Sequence, residues 1–82
     1  MQNEKSQRIN KRFYEAFDIL IATGQIKSLH SFCVENGIDR RNFVRLREEP
    51  QREFQLSLLS VLVSEYNVSA EWLLLGRGNI FA

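Results

Sequence analysis

Hydrophobic and polar positions in the first part of the chain recur with the period of an α-helix. Between Gln7 and Thr23 the apolar side chains are spaced by steps of one, three or four, at Ile9, Phe13, Ala16, Phe17 and Leu20. Gly24 follows, and glycine commonly ends a helix because it tolerates the left-handed backbone. The pattern predicts a first helix over residues 7–23, after a flexible N-terminus of residues 1–6.

Two shorter helices, separated by a turn at Gly37, are predicted next. Ser28 and Asp39 are favourable N-cap residues, and each precedes a segment with helical spacing. The second of these helices covers residues 40–47 or 40–48, and Ile38 is expected to be buried ahead of it. The predicted inner residues are Leu29, Phe32 and Cys33 in the first helix and Phe43 and Leu46 in the second. Two capped helices joined by a glycine turn are typical of a helix-turn-helix.

The last part of the chain predicts two more helices after a charged loop over residues 49–53. In the fourth helix the apolar positions are Leu56, Leu59, Leu62, Val63 and Tyr66. Residues 54–58 also alternate as a strand would, but the length of the segment and the lack of a partner strand favour a helix. The fifth begins after Ser69, buries Trp72 and ends at Gly76. We therefore predict an all-α fold, a compact five-helix bundle with a helix-turn-helix.

Composition limits the chemistry that this fold can perform. The 82 residues form one domain of ordinary globular composition, with one cysteine and one histidine. A single cysteine cannot form a disulfide within the chain. A single cysteine and a single histidine are also too few of the usual ligands to favour a metal site. His30 with Ser31 or Cys33 is the only local pair of base and nucleophile, and no oxyanion-hole motif accompanies it. We expect an exposed His30, a buried Cys33, no catalytic activity, no cofactor and no small-molecule ligand.

The chain contains no apolar run that could span a membrane and no N-terminal signal sequence, which predicts a cytoplasmic protein. Its net charge is only +1. That value hides an uneven distribution, because residues 1–52 carry an excess of positive charge and residues 53–82 an excess of negative charge. The basic residues are concentrated around the predicted third helix.

The third predicted helix places like charges where they are locally unfavourable. Arg41 and Arg45 project almost opposite the inner face, with Val44 beside them. Charges of one sign four residues apart repel each other, and Arg40 and Arg41 lie at the positive end of the helix dipole. A merely solvated face does not explain this single sign at the N-terminal end, so the pattern indicates a binding site.

DNA recognition is the chemistry that suits such a face. An arginine fork matches the major-groove acceptors of guanine, and an aliphatic side chain can contact the thymine methyl group. We predict that the bases are read by Arg40, Arg41, Val44 and Arg45. The predicted phosphate contacts are Lys27, Ser28, Asn42, Arg47 and Arg52.

The segment Ser28 to Leu46 resembles the helix-turn-helix of phage-repressor-like (XRE, Cro/C1-type) DNA-binding domains. The matching positions are Phe32, Cys33, Gly37, Ile38, Phe43 and Leu46. The segment Val68 to Phe81, VSAEWLLLGRGNIF, looks like the tail of many short bacterial repressors of this type. The resemblance implies a lambda-repressor-like DNA-binding domain over residues 7–82, in a small bacterial or phage-type transcriptional regulator associated with the nucleoid. It also implies that Arg40, Arg41 and Arg45 reach base edges in double-stranded DNA.

Such a protein is expected to bind a near-palindromic site as a homodimer, with half-sites about 34 Å or a multiple apart. Ile80, Phe81 and exposed apolar residues of the last two helices are candidates for the dimer surface, unless they complete the core. Two alternatives remain open. One is an antitoxin-like or excisionase-like DNA-binding accessory protein. The other is a helical protein-interaction module that does not bind DNA and docks an acidic partner on Arg41 and Arg45.

Overall fold

Five α-helices make up the regular structure of the protein, in a computed structural model that describes residues 4–49, 52 and 54–82. The helices are α1 (Glu4–Ala22), α2 (Leu29–Glu35), α3 (Arg40–Glu48), α4 (Leu56–Tyr66) and α5 (Ala70–Leu75). No β-strand occurs in this part of the chain, where an isolated bridge joins Val68 to Phe81. The prediction of an all-α fold with five helices is confirmed.

Helix α1 is the longest element and packs against α3, α4 and α5. It begins earlier than the predicted Gln7, and Glu4 in its first turn pairs with Arg8 at 2.6 Å. An acidic residue is favourable at the positive end of a helix, which explains the early start. Residues 4–6, which the sequence pattern leaves in a flexible N-terminus, are therefore helical, and residues 1–3 lie outside the described residues. Gly24 follows the helix with a φ of +80°.

An aromatic cluster joins α1 to the two helices that follow it. Phe13 and Phe17 on α1, Phe32 on α2 and Phe43 on α3 are all almost completely buried. The ring centroid of Phe17 lies 5.1 Å from that of Phe32 and 5.1 Å from that of Phe43. Replacing a buried phenylalanine by alanine costs about 3–5 kcal/mol of stability. This cluster therefore holds α2 and α3 together on one side of α1.

Both predicted N-caps of α2 and α3 are confirmed. The Ser28 hydroxyl accepts a hydrogen bond from the backbone N–H of Ser31 at 3.0 Å. The carboxylate of Asp39 accepts from the backbone N–H of Arg41 at 2.8 Å. Between the two helices Gly37 has a φ of +64°, a backbone conformation that residues other than glycine rarely adopt. Helices α2 and α3 therefore pack against each other across a short, defined turn over residues 36–39.

The predicted inner face of α4 is wrong in one position. Leu56 has 76% of its surface exposed, whereas Leu58 has only 2% and, with Leu62, forms the buried side. Leucine and valine occur on both sides of this helix. The sequence therefore contains two apolar stripes with helical spacing, and either could be the buried one. Only the contacts with α1 decide which stripe is buried. The predicted loop over residues 49–53 falls partly outside the described residues.

Helix α5 and the tail close the core beside α1. Ser69 caps the helix and Gly76 ends it with a φ of +75°, as predicted. Trp72 is buried, which confirms its predicted role in the core. The backbone N–H of Ser69 donates to the carbonyl of Ile80 at 2.7 Å, and Ile80 and Phe81 pack against the core. The structure thus supports the interpretation that these two residues complete the core.

A side chain of α1 binds the open end of α5. The guanidinium of Arg12 donates to the carbonyl oxygens of Leu73 at 2.8 Å and Leu74 at 3.0 Å. The last carbonyls of a helix have no partner within it, and a cation is favourable at this negative end of the dipole. This contact links residues more than sixty positions apart and has no local signal in the sequence.

We expect Arg12→Met to destabilise the fold by about 1–3 kcal/mol, because the apolar stem is kept while the charged hydrogen bonds are lost. The measurement is the free energy of unfolding from urea titration followed by circular dichroism. Lys11→Met is the matched control, since Lys11 lies next to Arg12 on α1 but is exposed. Equal stability of the two variants would contradict the role given to Arg12.

Candidate nucleic-acid interface

The solvent side of α3 brings together the residues that the sequence predicted to read bases. Arg40, Arg41 and Arg45 are exposed, Val44 is half-buried beside them, and Phe43 on the same helix is buried. This face is open to solvent and is lined by Asp39, Arg40, Arg41, Val44, Arg45, Glu48 and Glu49. A convex helix with a polar outer face can enter a groove, whereas an enclosed ligand site needs a deep concave pocket.

The arginines of the described chain differ in whether they have partners within the protein. Partners are present for Arg8, Arg12, Arg47 and Arg52. By contrast, no ion pair or hydrogen bond with any residue in the ranges 4–49, 52 and 54–82 is formed by the guanidinium groups of Arg40, Arg41 and Arg45 or, outside this face, of Arg77. All their donors are therefore available to a ligand, and no internal contact has to break first.

The charge along this face changes sign from one end of α3 to the other. Arg40 and Arg41 occupy the first turn and Arg45 the last turn, while Glu48 and Glu49 stand at the C-terminal end. Glu49 pairs with Arg52 at 2.7 Å. Residues 41, 45 and 48 follow one helical stripe, so Glu48 continues the arginine face. The sequence analysis missed this acidic end, although the same spacing could have identified it.

Three polar side chains of α1 hold the inner side of α3. The hydroxyl of Tyr14 donates to the carbonyl oxygen of Phe43 at 2.6 Å, and the amide of Asn10 donates to that of Leu46 at 3.4 Å. Asp18 accepts a hydrogen bond from Arg47, whose guanidinium carbon lies 5.2 Å from the centre of the Tyr14 ring. These contacts fix the rotation of α3 about its axis and therefore which side chains point outward.

The predicted phosphate-binding residues have different surroundings. Lys27 and Asn42 are exposed. The Ser28 hydroxyl is used in capping α2, Arg47 contacts α1, and Arg52 pairs with Glu49. The phosphate role of each residue stays a prediction, but Ser28, Arg47 and Arg52 would have to share or exchange a partner to bind phosphate. Sequence reasoning missed the Asp18–Arg47 contact because it joins residues far apart in the chain.

Two residues considered for catalysis, His30 and Cys33, differ in their exposure to solvent. His30 is exposed and Cys33 is buried, as predicted. Burial raises the pKa of the Cys33 thiol, while the nearby charge of Arg40 acts in the opposite direction. Among the described residues no cluster of three or more histidine, cysteine or acidic side chains could hold a metal ion. None of the described helices is both long and apolar enough to cross a bilayer.

Comparison with known proteins identifies no family model, curated protein or solved structure that matches this chain. Function is therefore inferred from the chemistry of the α3 face and from the way in which α1 and α2 support it. The likeness to phage-repressor-like domains remains a resemblance carried by the residues named above.

We expect Tyr14→Phe to lower the stability by about 0.5–1.5 kcal/mol at neutral pH, because the bond to the Phe43 carbonyl is lost. Burial raises the pKa of Tyr14 well above its usual range. The unfolded chain thus releases this proton first, near pH 10, and the stability contributed by the neutral phenol falls as the pH rises above that value. The variant should lose less stability than the wild type between pH 9 and about pH 11.

Urea unfolding at both pH values measures this difference. Tyr66→Phe is the control, because Tyr66 is less buried than Tyr14 and should contribute a smaller pH dependence. An identical pH dependence in the wild type and Tyr14→Phe would show that Tyr14 does not hold α3 as described.

Proposed function

We propose that the protein binds double-stranded DNA sequence-specifically as a small transcriptional regulator, with α3 as the recognition helix in the major groove. The observation that carries this proposal is the group of three exposed arginines on the outer face of α3, which have no partner among the described residues. We interpret α2, the Gly37 turn and α3 as a helix-turn-helix of the lambda-repressor-like type. In that arrangement the second helix enters the groove and its N-terminal residues contact the bases.

DNA supplies the negative charge and the hydrogen-bond acceptors that the arginines of the α3 face do not find among the described residues. Arg41 and Arg45 repel each other and lie on a helix whose N-terminal end already favours anions. Phosphates compensate this charge, and guanine offers two acceptors that match the guanidinium fork. The major groove is about 12 Å wide and accepts one α-helix with its side chains. Charge and shape on this face therefore agree with a DNA ligand.

Phosphate contacts are proposed at the N-terminal end of each helix of the pair. Lys27 precedes α2 and Asn42 lies in the first turn of α3, and both side chains are exposed. Contacts of this kind set the position of the protein on the duplex without reading its sequence. Because the net charge of the chain is only +1, the sequence-independent affinity of one copy should be modest.

We further propose that two copies bind one site through a groove between α4 and α5. Its walls are apolar or small, consisting of Leu59, Ser60, Val63, Ser64, Ala70, Leu73 and Leu74. In α4 the only charged residue is Glu65, so little charge has to be desolvated when a second copy covers this face. Leu74 in this groove is an exposed large apolar residue, as are Leu56 on α4 and Leu75 on α5. A symmetric pair would supply the second recognition helix that a near-palindromic site requires.

Two other functions use the same helix. An antitoxin-like or excisionase-like accessory protein would bind DNA through the same residues and differ only in its biological setting. A protein-interaction module would instead place an acidic partner on Arg41 and Arg45. A titration with mixed genomic duplexes at two salt concentrations separates DNA binding from that module. DNA binding weakens steeply with salt, in proportion to the number of phosphates contacted.

We expect Arg41→Ala and Arg45→Ala each to cost about 1–3 kcal/mol of affinity on a duplex selected for tight binding, because each removes a guanidinium from the interface. Fluorescence anisotropy with a labelled duplex measures the dissociation constants. Arg77→Ala is the matched control, since Arg77 is exposed but follows α5, away from α3 in the chain. Unchanged affinity in both α3 variants, or no salt-dependent binding by the wild type, would refute the proposal.

For the dimer we expect Leu74→Glu to shift the protein to monomers, because Leu74 lines the groove and has 47% of its surface exposed. Sedimentation velocity measures the change in mass. Val34→Glu introduces the same charge on α2, at a valine that has 63% of its surface exposed, and should leave the assembly intact. A wild type that stays monomeric at high concentration and on DNA would contradict a dimer.

A further inference from the structure

We infer that each half-site contains two guanines on either side of a base pair that directs a thymine methyl group toward Val44, with the C-terminal end of α3 held farther from the phosphates than its N-terminal end. This inference rests on the proposed DNA-binding function and adds the composition, spacing and orientation of the site. It follows from the positions of four side chains on α3, namely Arg41, Val44, Arg45 and Glu48.

The spacing of the guanines follows from helix geometry. Arg41 and Arg45 lie on one stripe of α3, and four residues correspond to about 6 Å along the helix axis. Successive base pairs are about 3.4 Å apart. With α3 lying along the groove, the two guanidinium groups therefore face base pairs about two steps apart. Both side chains are exposed and have no partner among the described residues, so each can form the bidentate contact that guanine offers.

Val44 defines the base pair between the two guanines. Along the helix axis Val44 lies between Arg41 and Arg45, and its side chain is half-buried beside theirs. A valine is too short to contact the phosphates at the walls of the groove when its helix lies along the floor. In the major groove the apolar group available to it is the C5 methyl of thymine. An A·T pair with thymine on the side of Val44 therefore fits the centre of the contact.

The charges at the two ends of α3 determine its orientation. Glu48 continues the stripe of Arg41 and Arg45, and its side chain is exposed. A carboxylate close to the phosphates is repelled, so the C-terminal end of α3 must lie farther from the backbone than the arginine end. Arg40 is exposed at the first position of α3, which leaves it for a phosphate or an outer base.

The inference is tested with the full chain in two stages. Selection from random duplexes gives the preferred site, and anisotropy then measures binding to that site with modified bases. Replacing either guanine by 7-deazaguanine removes the N7 acceptor, and we expect affinity to fall at least about 5-fold, the lower limit for a bidentate contact. Replacing the central thymine by uracil removes one methyl group, and the expected loss is about 3- to 4-fold.

Variants assign each loss to a residue. The uracil effect should become smaller in Val44→Ala, whose shorter side chain contacts the methyl group less closely, and each 7-deazaguanine effect should disappear in either Arg41→Ala or Arg45→Ala. Glu48→Gln should tighten binding to all duplexes, whereas Glu71→Gln on α5 is the control and should not. Circular dichroism checks that each variant is folded, and the modified bases test the unaltered protein independently of any variant.

The possible failures are distinguishable. Salt-dependent binding to a site without two guanines around a central A·T pair overturns this inference and leaves the proposed function intact. The inference also fails when the modified bases reduce affinity as much in the Val44, Arg41 and Arg45 variants as in the wild type. That outcome again leaves the proposed function intact. Absence of binding to any duplex at low salt overturns the proposed function, and this inference with it.

Discussion

The contact between the inner side of α3 and α1 is the constraint on which the rest of the structure depends. Helix α3 has nine residues, and a helix of that length is not stable alone in water. Its stability comes from Phe43 in the aromatic cluster and from Tyr14, whose hydroxyl binds the Phe43 carbonyl 2.6 Å away. Asp18 and Arg47 add a contact at the C-terminal end of the helix. Because the inner side is held so completely, the outer side can carry residues that do nothing for folding.

Three arginines on the outer face oppose stability slightly, and the structure gives them no compensating partner among the described residues. Elsewhere Arg12 and Arg47 show how this fold uses arginine when it serves stability, by binding open carbonyls or a carboxylate. Arg77, which follows α5, also has no partner among the described residues, so the argument that Arg41 and Arg45 serve a ligand rests on the clustering of three such arginines on one helix face. A net charge of +1 also means that such a ligand has to be held by a local face rather than by the whole surface.

Local signals predicted most of the fold. The caps Ser28, Asp39 and Ser69 and the glycines that follow the helices depend on hydrogen bonds and backbone angles within a few residues, so the sequence shows them directly. Contacts between distant residues were not predictable in this way, as the bonds of Arg12 to α5 and of Arg47 to Asp18 illustrate. The burial of Leu58 in place of Leu56 depended on packing against α1, since both sides of α4 are apolar. In the candidate site, periodicity placed the arginines on one face, but only the structure distinguished those with internal partners.

We propose that α1 holds α3 in the orientation in which the arginine face of α3 meets double-stranded DNA. The most direct measurement is a titration of isotope-labelled protein with a selected duplex, followed by the NMR shifts of backbone amides and arginine side chains. If α3 is the recognition helix, the largest changes in NMR shift fall on residues 40–45 and near Lys27, while the buried contacts of Tyr14 and Phe43 stay in place. Changes confined to other helices, or none at low salt, would contradict it.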